Sequence, residues 1–223
     1  MIQSYARVFK KMLPKERRYR RLLLGPAAGC VMEVDFSCHL MAYLGLYERE
    51  LLPHFKRMVT PGSNCFDLGG RDGYDALMMA KLSRARVASF ECEHHQAEIM
   101  RETFTKNRNL SIQVVESFVG SECSDGHITI DRAAQDLFIP DFIKMDIEGA
   151  EDQALEGASK TLAEHRPNLI IEVHGTDKEE RCVSILREFG YRMTIVNQSR
   201  FFEDPGRHGN KSNRWIAAYP GAA

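Results

Sequence analysis

From about residue 64 onward the chain alternates short apolar runs with helix-patterned stretches, and this rhythm constrains the fold more than any other feature. Parallel strands need crossover helices between them, so the alternation predicts an α/β domain built on a mostly parallel sheet with helices on both faces. Strands are expected at 64–68, 85–91, 112–115, 142–147 and 169–173, and helices at 74–82, 95–107, 150–162 and 178–189, the last stopped by Gly190. The end of the chain breaks the pattern. Stretches 191–196 and 214–219 read as strands with no helix between them, so they should run antiparallel. The sheet then has seven strands, one of them antiparallel near the C-terminus. The polar connection 197–213, carrying Gly206 and Gly209, is long enough to suggest a functional loop.

At 223 residues the chain suits one such domain over 56–223, preceded by an N-terminal helical extension or cap over 1–55. A hydrophobic fraction of 43% and a charged fraction of 27% argue against disorder. A formal net charge of −1 rules out a global field that would recruit nucleic acid or acidic lipid. The charge is uneven, however. Arg7, Lys10, Lys11, Lys15, Arg17, Arg18, Arg20 and Arg21 crowd the start, and Ile2, Tyr5, Phe9 and Met12 fall at helical spacing. That arm is either a solvated helix packed on the body or a weak contact for a membrane surface, RNA or an acidic partner. No apolar run is long enough for a membrane span, and no secretory signal stands out, so a cytoplasmic location is expected. Six scattered cysteines without a C-x-x-C pair read as free thiols. In Glu91-Cys92-Glu93-His94-His95, consecutive side chains point different ways, so no metal site is expected there.

The sharpest local signal is Cys65-Phe66-Asp67-Leu68-Gly69-Gly70-Arg71-Asp72-Gly73-Tyr74, a strand running through a glycine turn directly into a helix. Gly69, Gly70 and Gly73 let a ligand approach the backbone, and the helix start offers N–H groups to an anionic group. Glu91 closes the second strand eighteen residues after Gly73, where a carboxylate can hold both hydroxyls of a ribose. Glu116 and Ser117 end the third strand, either reaching an adenine or forming a surface turn. The charges separate a dinucleotide from S-adenosylmethionine. Asp67, Asp72 and Asp75 would oppose a pyrophosphate at a cost of several kcal/mol. S-adenosylmethionine carries no phosphate, and its sulfonium and ammonium suit an acidic loop.

The second rich segment, Phe142-Ile143-Lys144-Met145-Asp146-Ile147-Glu148-Gly149-Ala150-Glu151, should deliver Asp146 and Glu148 to the same cleft. Glu148 also reads as a helix cap, and Glu151 as favouring the positive end of that helix. Glu172-Val173-His174-Gly175 ends the next strand and brings His174 to the same rim.

Together, CFDLGGRDGYDAL, IKMDIEGAEDQALEGA and LIIEVHG resemble the FkbM-type methyltransferases, and YLGLYERELLP at 43–53 is similar to the lead-in found there. The resemblance spans about residues 43–174 in order, with IKMDIEGAE its most specific part. It implies a Rossmann-like class I methyltransferase fold, S-adenosylmethionine as donor, and usually O-methylation of a hydroxyl on a sugar or small natural product. Asp67, Gly69 and Gly73 match the family's cofactor loop, Glu91 its ribose-binding acid, and Asp146 and Glu148 its D-x-E-G segment. Gly70 and Arg71 stand where alanine and asparagine are frequent, Cys92 where proline is common, and the basic arm lies outside the pattern.

Methyl transfer from a sulfonium is an in-line displacement, and an alcohol acceptor must also lose a proton. His174 or Asp146 is the expected base. No metal is required on this reading, although Asp146, Glu148 and His174 form a variant ligand set. Two rivals stand beside it. One is an RNA methyltransferase anchored by the basic arm, the other a non-catalytic binding protein on the same fold.

Overall fold

The computed structural model describes residues 16–197 and 213–221. The stripe Ile2 to Met12 and the connection 198–212 lie outside the described residues.

Seven strands form one sheet. Chain order gives β3 (Cys65–Leu68), β4 (Val87–Glu91), β5 (Ile112–Glu116), β8 (Phe142–Met145), β9 (Asn168–Val173), β10 (Tyr191–Val196) and β11 (Arg214–Pro220). Spatial order is β10-β11-β9-β8-β3-β4-β5. The chain starts at the centre with β3, runs outward to β5, and returns to lay β8 on the other side of β3. That reversal opens a crevice beyond the carboxyl ends of β3, β4 and β8, the usual ligand position of open α/β sheets. β11 is antiparallel to both β9 and β10. It therefore sits one strand in from the edge and β10 forms the edge, an arrangement that chain order alone does not reveal.

The connections include α3 (Tyr74–Ser83), α4 (His94–Thr105), α6 (Glu151–Glu156) and α7 (Thr176–Glu188), near the expected helix positions. The helix expected over 150–162 is broken. Asp131 donates its N–H to the Gly157 carbonyl, and its carboxylate accepts from the Lys160 and Thr161 N–H groups. The chain therefore restarts as a π-helical turn over Thr161–His165. The strand expected to reach residue 147 stops at Met145, because Glu148 and Gly149 turn the chain with φ of 49° and 106°. Between β5 and β8 lie β6 (Phe118–Val119), β7 (His127–Ile128) and α5 (Ile130–Asp136), the helix capped by the Thr129 hydroxyl accepting from Arg132 N–H.

The segment before β3 is less helical than expected. β1 (Arg18–Arg21) and β2 (Val31–Val34) form an antiparallel hairpin, followed by α1 (Leu40–Tyr43) and α2 (Leu52–Met58). The Asn107 side chain imitates a neighbouring strand here, accepting from Val31 N–H at 2.9 Å and donating to Val31 O at 2.6 Å. Met32, Val34, Leu51 and Phe55 join one core with Cys65, Ile170 and Trp215 on the sheet. The hairpin and short helices thus cover one sheet face, while α6 and α7 cover the other with Ala154, Leu155 and Leu186.

Candidate active site

Period-two alternation divides the central strands. Phe66 and Leu68, Ala88 and Phe90, Ile143 and Met145, and Ile171 and Val173 share an apolar layer. The intervening positions start apolar, with Cys65, Val87, Phe142 and Ile170. Toward the carboxyl ends they turn polar, with Asp67, Ser89, Glu91, Lys144 and Glu172 all buried. Asp146 and His174 continue that series just past β8 and β9. These polar ends gather beneath a cleft of about 430 Å³ that opens at the topological reversal.

Gly69 is set by the protein's own packing. Its φ is +85°, and a Cβ there would sit 1.8 Å from the Asp146 carbonyl oxygen. The cofactor-loop turn and the Asp146 backbone are therefore in contact before any ligand arrives, and Asp146 N–H also donates to Leu68 O at 2.9 Å. At Gly70 a Cβ would meet Ser89 Oγ, and at Gly73, which opens α3, the Phe104 ring. The start of α3 is partly occupied as well: Asp72 Oδ1 accepts from Tyr74 N–H at 3.2 Å. One of the N–H groups expected to be open is taken by the loop's own carboxylate.

Glu91 is buried at the end of β4. Its two oxygens accept from Arg71 N–H and Glu93 N–H, each at 2.9 Å. The carboxylate is fixed against the cleft it lines, with further lone pairs to offer. Ser117 lines the same cleft beside Phe118 and Val119, while Glu116 lies outside the lining. Glu116 is held at the surface by Arg101 Nη2 and His94 Nδ1, both at 2.7 Å.

Asp67 is fully buried and accepts from Ser89 Oγ at 2.7 Å, while its second oxygen has no hydrogen bond. Burial pushes this carboxyl above its ordinary value, with the Lys144 charge pulling the other way. Lys144 bonds Asp75 Oδ2 at 3.0 Å and reaches Asp146 Oδ2 at 3.5 Å. Burial works to lower the ammonium, but the charges of Asp75, Asp146, Glu48 and Asp67 outweigh it and hold Lys144 well above its usual range.

Asp146 and Glu148 both line the cleft, Glu148 from an exposed turn where it caps no helix. His174 stands behind Asp146 and outside the lining. Its Nε2 is 3.7 Å from Asp146 Oδ1, and its Nδ1 is 2.7 Å from Glu151 Oε1. The Glu151 hydrogen bond raises the imidazole above its ordinary value against the opposing effect of burial, and the charges of Glu151, Asp146 and Glu172 add to it. Ligand atoms of Asp146, Glu172 and His174 lie within 4.8 Å of one another, so among the described residues the grouping open to a cation takes Glu172 in place of Glu148. A proton favoured on His174 competes with a cation there.

Sequence reasoning overlooked several of these groups. Lys144 was legible as a charge inside an apolar strand. Glu151 shares the inward stripe with Ala154, Leu155 and Ala158, and a charge on such a stripe signals a buried partner. His39 carried no such signal. It reaches the cleft from the N-terminal segment, and its Nε2 sits 3.1 Å from Asp72 Oδ2. Burial would raise Asp72, but the His39 bond and charge outweigh it and hold this carboxyl below its ordinary value.

This sheet order, with a ligand crevice at the reversal and acids at the strand ends, is the class I methyltransferase fold. Residues 93–193 match the Methyltransferase FkbM domain. Over that stretch, a little under half of its length, the chain is similar to FkbM-type methyltransferases, and its fold is that of the class I methyltransferases. The FkbM methyltransferase from Methylobacillus flagellatus superposes with a TM-score of 0.59 at 21% identity, over 71% of this chain and 44% of that one. A precorrin-6y C5,15-methyltransferase from Geobacter metallireducens gives 0.57 at 14% identity, over 78% of this chain and 88% of that one. Fibrillarin from Aeropyrum pernix, solved with natively bound S-adenosyl-L-methionine, gives 0.55 at 14% identity, over 72% and 68%. No curated protein sequence matches the chain. No helix among the described residues is long and apolar enough to cross a membrane.

Proposed function

We propose that this chain transfers a methyl group from S-adenosylmethionine to a hydroxyl of a sugar or small natural product. The observation that carries the reading is one cleft lined both by a fixed ribose-type acid, Glu91, and by a second carboxylate, Asp146, beside the glycine turn. The residues fit the donor. Glu91 has lone pairs for ribose hydroxyls, Ser117 and Phe118 flank the place for a base, and Asp72, Asp75 and Asp146 give the cleft the negative character a cationic cofactor needs. When bound, S-adenosylmethionine supplies a methyl group on a positively charged sulfur.

The chain's own groups do the rest. Gly69 and Asp146, in backbone contact, tie the cofactor loop to the acid, so donor and acceptor sites move as one body. Orientation of this kind is worth on the order of 7 to 11 kcal/mol of a displacement barrier. Asp146 accepts the hydroxyl proton as the oxygen takes the methyl group. It lines the cleft, whereas His174 does not and is biased toward its protonated form, which cannot act as a base. His39, Ala42 and Tyr47 close the cleft from the N-terminal side and shape the acceptor's space. The acidic lining disfavours a nucleic-acid acceptor, whose phosphates would meet Glu93 and Glu148.

Asp146→Asn is the test. With methyl glycosides as acceptor probes, kcat should fall by about 100-fold or more while S-adenosylhomocysteine affinity stays within about threefold. An equal loss of both would make Asp146 a cofactor ligand instead.

A further inference from the structure

Glu151 has no part in the reading above, yet it is among the most completely buried charged groups of the chain, with no solvent exposure. Its Oε1 accepts from Gly149 N–H at 2.9 Å and contacts His174 Nδ1 at 2.7 Å, while Oε2 has no hydrogen bond. An oxygen that already accepts from one N–H is an acceptor for the next, so His174 Nδ1 must be the donor. That assignment fixes the ring. Nδ1 carries a proton, and Nε2 is the nitrogen turned toward Asp146 Oδ1, 3.7 Å away. The other oxygen of Asp146 faces Lys144.

We propose that Glu151 is a positioning residue: by accepting the Nδ1 proton it locks the imidazolium of His174 with Nε2–H presented to Asp146, so that the carboxylate lining the cleft is held between an imidazolium and an ammonium. The proposal rests on Asp146 being the acid that faces the acceptor. The same Glu151 oxygen holds the Gly149 N–H, so the turn that carries Asp146 into the cleft and the ring behind it share one anchor. The charged groups facing this ring come from every packed element. They are Glu151 on α6, Asp146 beyond β8 and Glu172 on β9, while Lys178 on α7 acts on Glu151 from behind.

The experiment uses the full chain labelled with ¹⁵N-histidine and needs no acceptor for its first arm. Ring-nitrogen shifts of His174, assigned with His174→Gln, should show a protonated Nδ1 in the native protein. In Glu151→Leu, whose side chain offers no acceptor, that signature should be lost and the ring should carry its proton on Nε2, toward Asp146. Glu151→Asp should retain it in part. In the second arm, with methyl glycosides, Glu151→Leu and His174→Gln should each lower kcat by roughly 10- to 100-fold with S-adenosylhomocysteine affinity unchanged. A native His174 protonated only at Nε2, or a Glu151→Leu variant with native kcat, overturns the proposal. Absence of transfer by the native protein counts against the hydroxyl-transfer reading, and the shift arm then decides the role of Glu151 on its own.

Discussion

A single methyl group at Gly69 would collide with the Asp146 carbonyl, and the backbone there is left-handed as well. Neither problem can relax cheaply, since the obstacle is backbone at the end of a central strand. Gly69→Ala should therefore lower unfolding free energy by at least about 3 kcal/mol, read from urea melts. A variant of native stability would mean that the loop and β8 are not in contact. His174 gives a second residue-scale prediction. Its folded value is raised, so the native state holds the proton more tightly than the unfolded chain does. The stabilisation is then complete below about pH 6.5, the unfolded value, and is lost as pH climbs through the higher folded value. Thermal melts of the native protein and of His174→Asn should accordingly converge as pH rises above about 6.5. A gap independent of pH would contradict the charged pairing. Asp146 and His174 could be marked from sequence because strand ends deliver side chains to one rim. That Asp146 faces the cleft and His174 stands behind it depends on where β8 stops, at a turn set by Glu148 and Gly149, and apolar patterning carries no trace of it.

At the scale of elements, the strands and helices from β3 to β4 were legible because hydrophobic period and the glycine turn agree there. The break after α6 was not. It is imposed by Asp131, on another element, which bonds to three groups of Lys160 and Thr161 across about thirty positions of chain. The hairpin of β1 and β2 was equally hidden, since its partner is the Asn107 side chain and its sequence reads as a run of charge. Asp72 joins two such elements, accepting from the Tyr74 N–H that opens α3 and holding His39 of the N-terminal segment. Its folded value is lowered, so its stabilisation is present above the unfolded carboxylate value near about pH 3.9 and is lost as pH falls through the lower folded one. Asp72→Asn should cost about 1 kcal/mol at neutral pH, shrinking toward zero in acid. Equal melts at neutral pH would show that the bridge contributes nothing.

Over the whole molecule, one sheet face carries an apolar layer against α6 and α7, and the other turns polar at its carboxyl end beneath the N-terminal segment. That division places every candidate site group on one side and explains why a cationic cofactor suits the cleft. It also bears on metals. With a proton favoured on His174, methyl transfer should be unchanged by a chelator such as EDTA, and a loss restored by magnesium would instead assign Asp146, Glu172 and His174 to a cation. The central claim concerns the cofactor, and calorimetric titration of the purified chain with S-adenosylhomocysteine, with NAD as the control ligand, tests it most directly. Saturable binding of S-adenosylhomocysteine, weakened at least about tenfold by Glu91→Ala, with no heat from NAD, is the predicted result. Absence of binding, or binding indifferent to Glu91, would contradict the account and leave a methyltransferase fold that does not use its cleft for the methyl donor.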